Sequence, residues 1–197
     1  MTRKCLSLAL ASVLSCGIAF ATDSNYTTEG KEKITRNSVN IFLEPNSPYK
    51  NEFLSGKMDK ALEAMKESFE KMKNKPSPKA PAPAVSDVQI LEIQSTDGGY
   101  EYVFGKTTTD LNHGGNLFQV GTGVTGYGGN SYDSATFAGN QAVQLDSIGM
   151  DLTGDNIVDG FYDLWDISRP SNSNGDFVFT SRSINPGPTM STKIYIK

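Results

Sequence analysis

Cysteine is nearly absent from this chain. It has 197 residues and two cysteines, Cys5 and Cys16, both in its first apolar stretch. Thr2-Arg3-Lys4 precedes that stretch, residues 5–20 are largely apolar, and Ala19-Phe20-Ala21 has the A-x-A form of a cleavage site. The reading is a signal peptide at 1–21, with export to the periplasm or beyond. A lipid-attachment reading at Cys16 competes with it, but Leu14 suits that poorly. Once residues 1–21 are removed, no thiol remains, which excludes a disulfide framework, thiol catalysis and cysteine metal sites. Histidine is nearly as scarce. His113 is the only one, too few for a zinc site. No later run reaches the roughly 18 apolar residues of a membrane-spanning helix. No glycine loop opens a helix as a phosphate cradle, and no G-x-S-x-G elbow is present.

Positive charge is scarce in the second half. Residues 22–84 hold 9 acids and 11 bases, whereas residues 85–197 hold 13 acids and 5 bases. An acidic second half excludes a nucleic-acid surface there, since phosphate contacts need a basic one. It suits calcium, a glycan or a basic protein partner.

What is present divides the chain into segments. Residues 22–52 are polar and read as largely disordered, with one short strand near 39–43. Residues 53–74 carry an amphipathic helix, densest over 57–73. Leu54, Met58, Ala61, Leu62, Met65, Phe69 and Met72 recur at spacings of three and four and form one apolar stripe. A single helix of that length is marginal alone, so its stripe must dock on the domain behind it or on a partner. Residues 75–85 have prolines at 76, 78, 81 and 83 and read as a semi-rigid spacer. A third reading makes residues 22–85 a pro-segment, removed or used in export.

Residues 86–197 hold 16 of the 19 glycines, set between short apolar runs at 88–94, 100–104, 117–120, 143–152, 158–167, 177–180 and 193–196. Asp97-Gly98-Gly99 predicts a hairpin between the first two. Short strands with no helical period predict a mainly β domain, an antiparallel sandwich or barrel. Two long connections, 107–116 and 121–140, are candidate site loops. Tyr127, Tyr132, Phe137 and Tyr162 sit near glycine turns, either as rings for stacking on sugars or as cover for the sheet edges.

The turn at 153–156 joins the 143–152 and 158–167 runs and is rich in aspartate. Asp151, Asp155, Asp159 and Asp163 recur every four residues, and Gly154, Gly160 and Ile157-Val158 argue against a helix there. Carboxylates gathered in a loop either spread into water or take a cation, and calcium accepts six to eight such oxygens. The run resembles the calcium loops of EF-hand and dockerin modules. That resemblance implies ligands at Asp151, Thr153, Asp155, the Ile157 carbonyl and Asp159, with Asp163 closing the set. Asn156 stands where that pattern has glycine, and Tyr162 where it has a bidentate acid. An ordinary acidic hairpin turn is the alternative. His113 with Asp110 is the weak candidate for a catalytic pair, and no second motif supports it.

The segments GGYE, NHGGN, GYGG and KIYIK resemble a family of small exported bacterial β-domains of unknown function, over about 88–197. The resemblance implies a secreted domain and supplies no catalytic residues. The expectation is therefore an exported, non-catalytic β-domain that binds a protein partner or glycan, with calcium as its one candidate cofactor. The alternative is a secreted hydrolase or toxin using His113 and a carboxylate.

Overall fold

The computed structural model describes residues 26–73, 84–128, 132–168, 174–184 and 187–197. Residues 1–21, with Cys5 and Cys16, and most of the proline spacer lie outside the described residues. In chain order the elements are β1 (Glu32–Arg36), β2 (Val39–Leu43), α1 (Lys50–Ser55), α2 (Asp59–Lys73), β3 (Asp87–Ser95), β4 (Gly99–Tyr102), β5 (Phe118–Thr125), β6 (Asp133–Phe137), β7 (Asn140–Gln141), β8 (Val143–Asp151), β9 (Gly160–Asp166), β10 (Gly175–Arg182) and β11 (Thr189–Ile196).

The strands form two sheets, ordered β1-β2-β8-β9-β5-β3-β4 and β11-β10-β6-β7. Every pairing within them is antiparallel. The sheets pack face to face as an open sandwich, not a closed barrel. Their shared core takes Val120, Val124, Phe161 and Trp165 from the larger sheet, and Phe137, Phe177, Phe179 and Ile194 from the smaller.

The outer face of the larger sheet is buried as well, under the helices. Met58, Ala61, Leu62 and Met65 of the predicted stripe pack with Phe53 against Leu91, Ile148, Met150, Tyr162 and Leu164. The helix therefore docks on its own domain. Burial of each Leu or Met side chain contributes roughly 1.5–3 kcal/mol, far more than the helix gains from its own hydrogen bonds. The predicted 57–73 helix begins at Asp59. Gly56, at φ 82°, ends α1 before it, donating its N–H to the Phe53 carbonyl. Arg36 grips Asp59 with two bonds of 2.7 Å, which ties β1 to the start of α2.

Two stretches differ from the sequence reading. Within 22–52, where at most one short strand is expected, β1 and β2 pair over five positions, and β2 joins β8 inside the larger sheet. Val39, Ile41 and Leu43 are fully buried there, so a short apolar patch in polar surroundings is enough once a sheet edge receives it. Within 121–140, read as a loop, β5 runs on to Thr125 and β6 follows at Asp133. Gly121 and Gly123 suggested turns, yet they lie mid-strand because side chains crowd them. A Cβ on Gly121 would sit 2.2 Å from the Tyr162 hydroxyl, and one on Gly123 3.1 Å from Met65 Cγ.

Candidate functional site

The aspartate turn links β8 to β9, whose last paired residues are Met150 and Gly160. Gly154 and Asn156 take positive φ, 85° and 67°, so the reversal forms where glycine and asparagine allow it. Oxygens of Asp151, Asp155 and Asp159 lie within 4.8 Å of one another. Asp151 is fully buried, and protein donors occupy both its oxygens. Oδ1 accepts from the backbone N–H groups of Thr153, Gly154 and Asp155 and from Thr153 Oγ1. Oδ2 accepts from Asn156 N–H and the Asn40 amide, each at 2.7 Å. Burial raises the proton affinity of Asp151, but these donors outweigh it and hold the carboxyl below its ordinary range. Asp159 is raised instead, by burial and by Asp155 and Asp151. It accepts from Leu152 N–H and Thr153 Oγ1.

Asp163 does not join this cluster. It points from β9 into the space between the sheets, where Gln144 donates to it at 3.0 Å. The separation is one of distance along the strand, at roughly 3.3 Å per residue. On strand β9, four residues beyond Asp159 lies well past the turn. Ile157 is exposed at the tip. Thr153 contributes its hydroxyl to the aspartates themselves.

The expected His113–Asp110 pair is replaced by another. His113 Nε2 meets Glu101 Oε2 at 3.1 Å, and Nδ1 meets Ser95 Oγ at 2.9 Å. Asp110 is exposed and pairs with Lys106. A Ser–His–Glu chain is thus present, but all three residues are buried, and Ser95 Oγ accepts the Gly98 N–H of the β3–β4 turn. Glu101 also accepts from the N–H groups of Asp110 and Leu111 and from Lys106. Burial pushes the Glu101 carboxyl up, but these donors prevail and hold it at about 2. His113 donates its backbone N–H to Lys197 at 2.6 Å, and Thr109 donates to Tyr195. The network fastens the 107–113 loop to β4 on one side and to β11 on the other. The sequence offered Asp110 because it is near; Glu101 reaches the ring only through the β3–β4 hairpin.

Phe137 and Tyr162, considered as sugar-stacking rings, are core residues. Tyr127 is half-buried edge-on to Phe161, and Arg182 lies 4.9 Å from the Tyr132 ring.

An open groove of about 470 Å³ lies beside β2 and β8. Tyr26, Lys31 and Glu44 line one side, and Gln144, Leu145, Asp146 and Ser147 the other. Tyr26 is fixed by its hydroxyl, which donates to the Phe42 carbonyl and accepts from Gly149 N–H. Lys31 pairs with Glu44 at 2.7 Å and lies over the Tyr26 ring. Nothing local in the sequence marks this groove, since its walls come from segments far apart in the chain.

The profile of a domain of unknown function, DUF4879, matches residues 80–196. No curated protein and no solved structure matches the chain.

Proposed function

Since this chain belongs to the DUF4879 family, described only as a domain of unknown function, we propose its role from its own geometry: an exported, non-catalytic β-domain that binds a glycan in the groove beside Tyr26. The lining of that groove carries the reading. Carboxylates at Glu44 and Asp146, the Gln144 amide and the Lys31 ammonium offer acceptors and donors to an array of sugar hydroxyls. Leu145, 43% exposed, gives an apolar patch for the C–H face of a sugar. With Glu29, Glu44 and Asp146 against Lys31, the lining is acidic and disfavours a phosphate or other anion.

The alternative, a secreted hydrolase or toxin using His113, has its carboxylate in Glu101 and a hydroxyl in Ser95. Both are spent on backbone N–H groups of their own loops, and the ring is shut off from solvent. A fastening role fits those contacts better than nucleophilic attack.

A glycan array at neutral pH, followed by calorimetric titration of the best-retained oligosaccharide, tests the glycan reading. Glu44→Ala and Asp146→Ala should each weaken binding at least tenfold. Folding stability should move by no more than about 0.5 kcal/mol for Glu44, which is exposed, and by about 1 kcal/mol for Asp146, which is half-buried and accepts from Ser147 N–H. An array that retains nothing, or binding indifferent to both substitutions, would overturn it.

A further inference from the structure

Polar atoms left without a partner inside the sandwich are concentrated in one place. Ser147 and Asp163 are cross-strand neighbours on β8 and β9, and Asp133 and Ser181 are cross-strand neighbours on β6 and β10. The first pair belongs to the larger sheet and the second to the smaller. The carboxyls of Asp133 and Asp163 meet between them and interact directly. Asp163 and Ser181 are completely buried. Both oxygens of Asp133, Asp163 Oδ2, Ser147 Oγ and Ser181 Oγ lie near enough to interact with one another, yet none makes a hydrogen bond of good geometry. Among the described residues, Gln89 Oε1 is the one other buried side-chain atom without such a bond. Gln144 holds Asp163 by Oδ1 and leaves Oδ2 free to face the cluster. Gly128 closes over it. A Cβ there would stand 2.5 Å from Ser181 Oγ and 3.2 Å from Asp133 Oδ1.

Buried polar atoms are nearly always matched, so five unmatched oxygens together call for a ligand that accepts lone pairs. The competing arrangement is internal: the two carboxyls share one proton while Ser181 turns to Asp133 and Ser147 to Asp163, which leaves no place for an ion. A divalent cation takes both carboxylates and both hydroxyl oxygens as ligands, and its charge balances the two acids. The donor set is entirely hard oxygen, which selects calcium or magnesium over softer metals. Gln144 and Ser147 also line the groove beside Tyr26, so the cluster lies directly behind that groove's wall. We propose that Asp133, Asp163, Ser147 and Ser181 form a binding site for a divalent cation of the calcium class, between the two sheets and distinct from the β8–β9 turn. The site does not depend on what the groove binds.

Terbium, a calcium substitute, is the probe. Trp165 lies two residues along β9 from Asp163 and turns the same way, so excitation of this single tryptophan should sensitise a bound Tb³⁺. The full chain, stripped with EDTA, should give saturable Tb³⁺ luminescence that calcium competes away. Calcium at about a hundred times its dissociation constant should raise the melting temperature by roughly 5–10 °C. Asp133→Asn and Ser181→Ala should each weaken Tb³⁺ binding at least tenfold, and Asp155→Ala in the turn should leave it unchanged. If Asp133→Asn does not fold, Ser181→Ala, which removes no charge, carries the test. Absence of luminescence and of any melting shift overturns the proposal. So does a signal abolished by Asp155→Ala but kept by Ser181→Ala, which would place the ion at the turn.

Discussion

At the scale of single residues, the chain repeatedly spends carboxylates on its own backbone. Asp151 gathers four backbone N–H groups and the Asn40 amide; Glu101 gathers two backbone N–H groups, Lys106 and His113. Such a group lowers its own proton affinity and, through linkage, stabilises the fold at neutral pH. For Glu101 the folded carboxyl lies at about 2, below its ordinary value of 4.5. Its contribution is therefore complete above pH 4.5 and is lost as pH falls from there toward 2. The shift corresponds to something on the order of 3 kcal/mol. Glu101→Gln should lower stability by about that amount in urea unfolding at pH 7, with a smaller gap between variant and parent at pH 3. An equal gap at both pH values would show that the carboxylate's charge is not what holds the loop.

At the scale of elements, glycine and the helix α2 explain each other. Small residues let a helix lie close on a sheet, and β5 supplies Gly123 beneath Met65 of α2, while Gly121 makes room for Tyr162 of the neighbouring β9. Polar bonds on that face tie the strands to one another and to the segment between the helices. Tyr100 and Tyr162 donate to the buried Glu92, and Lys57 reaches Gln94. Burial is the main reason the Glu92 carboxyl is raised, although both hydroxyls and Lys57 pull the other way. Gly121→Ala places a methyl where the Tyr162 hydroxyl and Glu92 Cγ already sit. It should destabilise the fold by about 1–3 kcal/mol, as overpacking does. A thermal melt within 1 °C of the parent would mean that the tyrosine moves aside freely and that β5 does not need its glycine.

At the scale of the whole molecule, the family match and the folded unit have different limits. The profile match starts at residue 80, yet β1 and β2, which extend the larger sheet, and α1 and α2, which pack on its outer face, precede it. A fragment beginning at Ser86 would leave Leu91, Ile148, Met150, Leu152, Tyr162 and Leu164 open to water. That exceeds the apolar patch a soluble monomer ordinarily shows. Such a fragment should bind a hydrophobic dye and lose its cooperative melt, whereas a chain starting at Tyr26 should keep both its solubility and its transition. A cooperative, monomeric 86–197 fragment would mean that the helices and first strands are an accessory, which would restore the pro-segment reading.

Local chemistry made part of this legible in the sequence. The seven apolar runs became β3, β4, β5, β8, β9, β10 and β11, because alternation at period two and glycine turns act within a few residues. The helix and the face it would bury were equally plain from its stripe. The turn at 153–156 formed at the glycine and asparagine that permit positive φ. Contacts between distant segments were decided only in three dimensions. Sheet order brought β2 beside β8, and it put Asp163 opposite Asp133 rather than with Asp159. The β3–β4 hairpin gave Glu101, and not Asp110, to His113. A sequence fixes what each residue prefers; which carboxylate meets which partner depends on long-range packing, because a charge is matched across space and not along the chain.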